Sequence, residues 1–146
     1  MEITIRKALE TDFGAILAMI RELAAFEKAL DKVVNTEEFM RNEQSGFECL
    51  VAETADKEIA GMALYFYAYY TWVGKSLYLD DLYVKPGFRG QKIGYRLLNE
   101  VIGIAKENNC RRIRWQVLDW NTQAIELYRK MGAKLDDEWI NCDIEF

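Results

Sequence analysis

Between Ser76 and Asn99 the chain reads SLYLDDLYVKPGFRGQKIGYRLLN, and this stretch constrains the fold more than any other. Leu77, Leu79, Leu82 and Val84, with Tyr78 and Tyr83, make a strand of apolar and aromatic β-formers. The turn pair Pro86-Gly87 breaks that strand. A helix restarts near Gly90, with Ile93, Leu97, Leu98, Val101 and Ile104 recurring at helical spacing on one face. A strand that feeds a helix through such a loop aims backbone N–H groups, and the positive end of the helix dipole, at whatever sits at the helix N-terminus. Gly87, Gly90 and Gly94 let the backbone come close to a ligand, while Arg89 and Lys92 add positive charge. The ligand implied is one that carries phosphate.

Composition narrows the alternatives. The 146 residues suit one domain, 1–146, and 51% hydrophobic with 13% aromatic is ample for a core. No run reaches the roughly 18 apolar residues of a membrane span, and MEITIRKALE alternates as a strand does, unlike a signal peptide. Cys49, Cys110 and Cys142 are odd in number and far apart, which gives no disulfide framework. Without a histidine they make no metal site either, so no metal and a cytoplasmic location are expected. A net charge of −5 and a pI of 4.9 exclude a basic nucleic-acid footprint. The acidic balance serves solubility or a cationic substrate.

In chain order, Ile3 and Ile5 alternate in a first strand, and Thr11-Asp12 caps a helix with Phe13, Ile16, Leu17, Ile20 and Leu23 on one face. A weakly patterned segment from Phe26 to Val34 precedes a short helix opened by Thr36. Strands are expected from Phe47 to Glu53, from Ile59 to about Tyr70, and from Arg112 to Leu118. Asn121 caps a helix that Met131-Gly132 ends, and the tail from Lys134 to Phe146 should add one or two strands. This is a mixed α/β sheet with helices on both faces.

Two motifs carry a family resemblance. Arg89-Gly90-Gln91-Lys92-Ile93-Gly94 resembles the pyrophosphate loop of the GNAT N-acetyltransferases, with Lys92 where the family has its central glycine. Asn121-Thr122-Gln123-Ala124-Ile125-Glu126-Leu127-Tyr128, followed by Gly132-Ala133, resembles the family's later Asn-x-x-Ala-x-x-x-Tyr segment. The resemblance implies the GNAT fold, a mostly antiparallel mixed sheet, and acetyl-CoA as co-substrate. It places the cofactor on Leu82, Tyr83, Val84, Arg89, Gly90, Gln91, Lys92, Ile93, Gly94, Tyr95, Asn121, Ala124 and Tyr128. A bulge in the central strand is implied, with backbone groups of Leu82 to Val84 holding the pantetheine arm and the oxyanion. Tyr128 is then the general acid for the leaving thiolate. A phenol of pKa about 10 gives its proton to a thiolate near 8.5 at a cost of only roughly 2 kcal/mol.

The base is carboxylate, tyrosine or water, and Asp80 holds the position. Direct transfer from an amine near 10.4 to a carboxylate near 3.9 is uphill by roughly 9 kcal/mol, over half of the barrier of about 16 kcal/mol that a turnover of about 10 per second allows. Asp80 therefore orients the ammonium and passes its proton through water. Tyr78 to Val84, Phe26 to Ala29 and Trp72 to Lys75 resemble the diamine branch, the spermidine/spermine and thialysine N-acetyltransferases, in which Asp80 is glutamate and Phe26 is tyrosine. That resemblance implies substrate contacts at Phe26, Glu27, Asp80, Trp115 and Asp137, and a homodimer. Asp137 also belongs to a three-residue acidic run that reads as a solvated loop. Asp81 alternates to the face opposite Asp80 and reads as structural, and Arg114 would repel a polycation if it points into the pocket. The activity implied is acetylation of a small cationic amine, polyamine or lysine-like. A protein amino group as acceptor, or an acetyl-CoA-binding module without turnover, are the alternatives.

Overall fold

A computed structural model describes residues 2–146. Five strands, β1 (Ile3–Lys7), β2 (Glu48–Thr54), β3 (Ile59–Tyr70), β4 (Gly74–Val84) and β5 (Arg112–Arg114), form one sheet in the order β1-β2-β3-β4-β5. The first four pair antiparallel in sequence, and β5 joins β4 parallel. The helices are α1 (Phe13–Phe26), α2 (Glu37–Asn42), α3 (Ile93–Glu107) and α4 (Thr122–Lys130). The parallel β4–β5 pair needs a crossover, and α3 supplies it. The chain divides into two compact units, one ending at Trp115 and the other running from Gln116 to Phe146.

In the first unit the apolar stripes dictate the layers. Phe13, Ile16, Leu17 and Met19 of α1 and Met40 of α2 pack with Cys49, Val51, Met62, Leu64 and Tyr83 on one face of the sheet. The alternate residues Leu50, Ala52, Ala63, Tyr65, Leu77 and Leu79 are buried too, on the other face, as are Ile93, Leu97, Leu98, Val101 and Ala105 of α3. Thr36 caps α2, its hydroxyl accepting from Phe39 N–H at 3.1 Å. Asp12 does not cap α1. Its carboxylate instead accepts from Leu9 N–H at 2.7 Å and from Arg6 at 2.8 Å, because an adjacent guanidinium outcompetes a neutral helix end.

In the second unit, Asn121 Oδ1 accepts from Ala124 N–H at 3.4 Å at the start of α4, and Gly132 leaves the helix at φ +90°. The strand expected from Arg112 to Leu118 shortens to Arg112–Arg114, and the one or two strands expected in the tail are absent: residues 134–146 hold none. At 136–139 a local turn competes with strand pairing: the Asp136 carboxylate accepts from Glu138 N–H at 3.0 Å and from the Trp139 indole at 2.9 Å.

Candidate active site

The site in the first unit is built by an irregularity in β4. Leu64 of β3 faces Asp81, and the next residue, Tyr65, faces Leu79, so Asp80 is the extra residue of a bulge. The bulge resets the alternation. Leu77 and Leu79 point to the α3 face, whereas Asp81, opposite Leu64, and Tyr83, within the α1-side cluster, point to the α1 face. Asp80 and Tyr78, alternating with Leu79, point there as well. Asp81 therefore shares a face with Asp80, against the simple alternation expected from sequence.

Glu27 reaches this pair from the C-cap of α1, its N–H donating to the Leu23 carbonyl at 2.9 Å. Glu27 feels the charge of Asp80, and Asp81 feels both. Asp81 is pushed up to about 7, chiefly by burial and then by the charges of Asp80 and Glu27. Burial and Asp80 raise Glu27, and surrounding protein raises Asp80 although solvent still reaches it. None of the three has an ion-pair partner among the described residues. A cation placed among them would relieve desolvation and mutual repulsion together. Phe26, the last residue of α1, stands beside Glu27 and is half exposed.

The edge of β4 beyond the bulge is open. β5 pairs with β4 only at Ser76, Leu77 and Tyr78, and no strand among the described residues pairs with that edge from Leu79 to Val84. The opening leads to the loop. Arg89 Nε donates to the Val84 carbonyl at 3.0 Å, and its guanidinium lies 5.5 Å from the centre of the Tyr83 ring. The Tyr83 hydroxyl donates to Glu22 Oε1 at 3.1 Å. Gly90 takes φ +83° and Lys92 φ +62°, a left-handed backbone at the N-cap of α3. Lys92 thus adopts the conformation for which its glycine counterpart is suited. Gln91 completes the turn, and the N–H groups of Ile93, Gly94 and Tyr95 occupy the first turn of α3, where no helical carbonyl lies behind them. The Ile93 side chain is core, 2% exposed, so only its backbone is available to a ligand. An open strand edge ending at positive-φ backbone, an arginine and a helix N-terminus fits an extended chain that ends in phosphates.

In the second unit Asn121, Ala124 and Tyr128 fall three and four apart, on one face of α4. Asp137 lies beside the Asp136 turn, and Trp115 follows the end of β5. From the sequence Asp81 reads as structural, on the face opposite Asp80; the bulge instead puts both on one face.

A model of the acetyltransferase (GNAT) family matches residues 14–133. The chain is a GNAT acetyltransferase. This GNAT chain is 43% identical over 143 residues to the thialysine N-epsilon-acetyltransferase of Sus scrofa, covering 90% of this chain and 84% of that one. It is 35% identical to the human spermidine/spermine N(1)-acetyltransferase-like protein 1 over 88% of this chain and 20% of that one. Its fold matches that of a possible acetyltransferase from Clostridium difficile 630 with a TM-score of 0.82, 20% identity and full coverage of both chains. GNAT enzymes transfer acetyl groups from acetyl-CoA, and the diamine and thialysine branch resemblance agrees with these relatives.

Proposed function

We propose that this GNAT enzyme transfers the acetyl group of acetyl-CoA to a primary amine of a small cationic substrate, by direct attack with both reactants bound. The observation that carries the reading is the group of three carboxyls, Glu27, Asp80 and Asp81, all raised and gathered at the β4 bulge next to an open strand edge. Backbone groups of Leu82, Tyr83 and Val84 hold the acyl-carrying arm, and Arg89, Gly90, Gln91, Lys92 and the first turn of α3 hold the pyrophosphate. Asn121 and Ala124 present Tyr128, which protonates the departing thiolate. Most of the rate comes from holding amine and thioester in register.

The raised pKa of Asp80 changes the proton balance in the useful direction. A carboxylate made more basic by desolvation lies closer to the ammonium it must deprotonate. Asp81, at about 7, holds or releases a proton at neutral pH and so sets the charge the incoming ammonium meets. Water carries the proton between amine and Asp80. Glu27 and Phe26 bind the remainder of the substrate, with Trp115 and Asp137 as further contacts, and the enzyme works as a homodimer in the cytoplasm on one domain, 1–146. The identity to a thialysine N-epsilon-acetyltransferase favours a lysine-like amine.

The test is turnover of acetyl-CoA against spermidine, putrescine, thialysine, lysine and a basic peptide, with products read by mass spectrometry because Cys110 and Cys142 would react with thiol reagents. Acetylation of one small amine, lowered about tenfold or more by Tyr128→Phe, is the expected result. Product from the peptide alone would transfer the assignment to protein acetylation.

A further inference from the structure

Beyond the carboxyl group, on the same face of the sheet, lies the opposite charge. β5 carries Arg112 and Arg114, which pair with Ser76 and Tyr78 of β4. Both guanidiniums lie 4.7 Å from the centre of the Tyr70 ring, so two like charges are held against one aromatic ring. Neither takes part in an ion pair among the described residues, in a chain whose net charge is −5. Arg112 Nε is buried without an acceptor. A buried donor with no partner, beside a second unpaired guanidinium, marks a place where an acceptor is missing.

Tyr78 fixes this pair relative to the acids. It stacks on Phe66 at 5.2 Å, and its hydroxyl is pushed up to about 12, first by burial, then by Asp80 and Tyr70, with Arg114 acting the other way. Asp80 and Arg114 therefore flank one ring. Asp80 is two residues along the strand from Tyr78 and Arg114 is one strand across, which puts the two backbones on the order of 8 Å apart before either side chain extends. An extended lysine-like side chain separates its terminal nitrogen from its carboxylate carbon by about 7.5 Å. A polyamine offers nothing for the guanidiniums and is repelled by both.

We propose that Arg112 and Arg114 form a carboxylate subsite, so that the acceptor is an amino acid with a reactive amine at the end of its side chain. Its ammonium sits among Glu27, Asp80 and Asp81, and its carboxylate accepts from the two guanidiniums that pack on Tyr70. The subsite rests on the reading above that the bulge is the amine site, and it names the substrate class for it. It also turns the misfit of Arg114 with a polycation into the selecting feature.

The experiment compares thialysine with bis(2-aminoethyl) sulfide, the diamine left when its carboxylate is removed. For the unaltered enzyme kcat/KM is expected to favour the amino acid by about tenfold or more, the range of a charge-assisted hydrogen bond. Arg114→Gln should collapse that ratio, through KM and not kcat, and Arg114→Lys should restore part of it. Arg112→Gln should act in the same direction. An unchanged unfolding midpoint and an unchanged KM for acetyl-CoA check that the variants fold. Equal use of both compounds by the unaltered enzyme, or equal losses on both in Arg114→Gln, would overturn the subsite and leave the amine site standing. No acetylated product from either compound would overturn the amine site, and the subsite with it.

Discussion

Two corners of the first unit are built from the same side chains and behave in opposite ways. At the β1–β2 edge, Arg6 binds Asp12 through 2.8 and 3.1 Å bonds and Glu53 through one of 2.8 Å. The guanidinium holds both carboxyls below their usual range. At the β4 bulge three carboxyls gather with no arginine among them, and all are raised. The first corner is complete and ties β1, β2 and the turn before α1 together. The second is short of a cation, which a substrate can bring. An acidic cluster reads as structure or as binding according to whether the fold has already supplied its counter-charge.

Removing the counter-charge from the complete corner has the largest expected effect. Arg6→Ala strands Asp12, only 9% exposed, and should cost about 3 kcal/mol of stability, seen as a lower denaturant midpoint at unchanged slope. Asp80→Asn alters the other corner in charge and hardly in shape. It should leave the unfolding midpoint nearly in place while kcat/KM for the amine falls by about a hundredfold. A loss of stability as large as that of Arg6→Ala would show that the bulge carboxyls are structural after all.

The pH dependence sharpens the contrast because the signs differ. Asp12 has a folded pKa below its ordinary 3.8, so its stabilisation is present above that value and is lost as pH falls through the folded pKa. Asp81 keeps its proton up to about 7 when folded and loses it near 3.8 when unfolded. The folded state then binds more protons between those values, and stability falls as pH rises through that window. Asp81→Asn should flatten that fall, measured as unfolding midpoints at pH 5 and pH 8. The smallest effect belongs to the phosphate loop. Lys92→Gly removes the left-handed strain of Lys92 and should stabilise by about 1 kcal/mol or less. It should also raise the KM for acetyl-CoA about threefold through loss of one surface charge contact.

Much of the frame was legible because its signals are local. The strand from Ile59 to Tyr70 and the apolar stripe of α3 follow from periodicity over a single element, and Thr36 and Asn121 cap the helices they precede. Local signals failed where another segment competes for the same group. Asp12 looked like a helix cap until Arg6 took its carboxylate, and at 136–139 the tail expected to pair as a strand turns on the Asp136 carboxylate instead.

The sequence by itself determined the strand, glycine loop and helix from Ser76 to Asn99, the family and the acidic residues available for an amine. Only the tertiary structure decided which of those acids come together. A bulge belongs to the register between two strands, and neither β3 nor β4 encodes it alone. Its one extra residue carries Asp81 to the face of Asp80 and Glu27, and leaves Tyr78 between those acids and Arg114. Coupling of charges depends on distance through the fold, and sequence spacing does not report that distance.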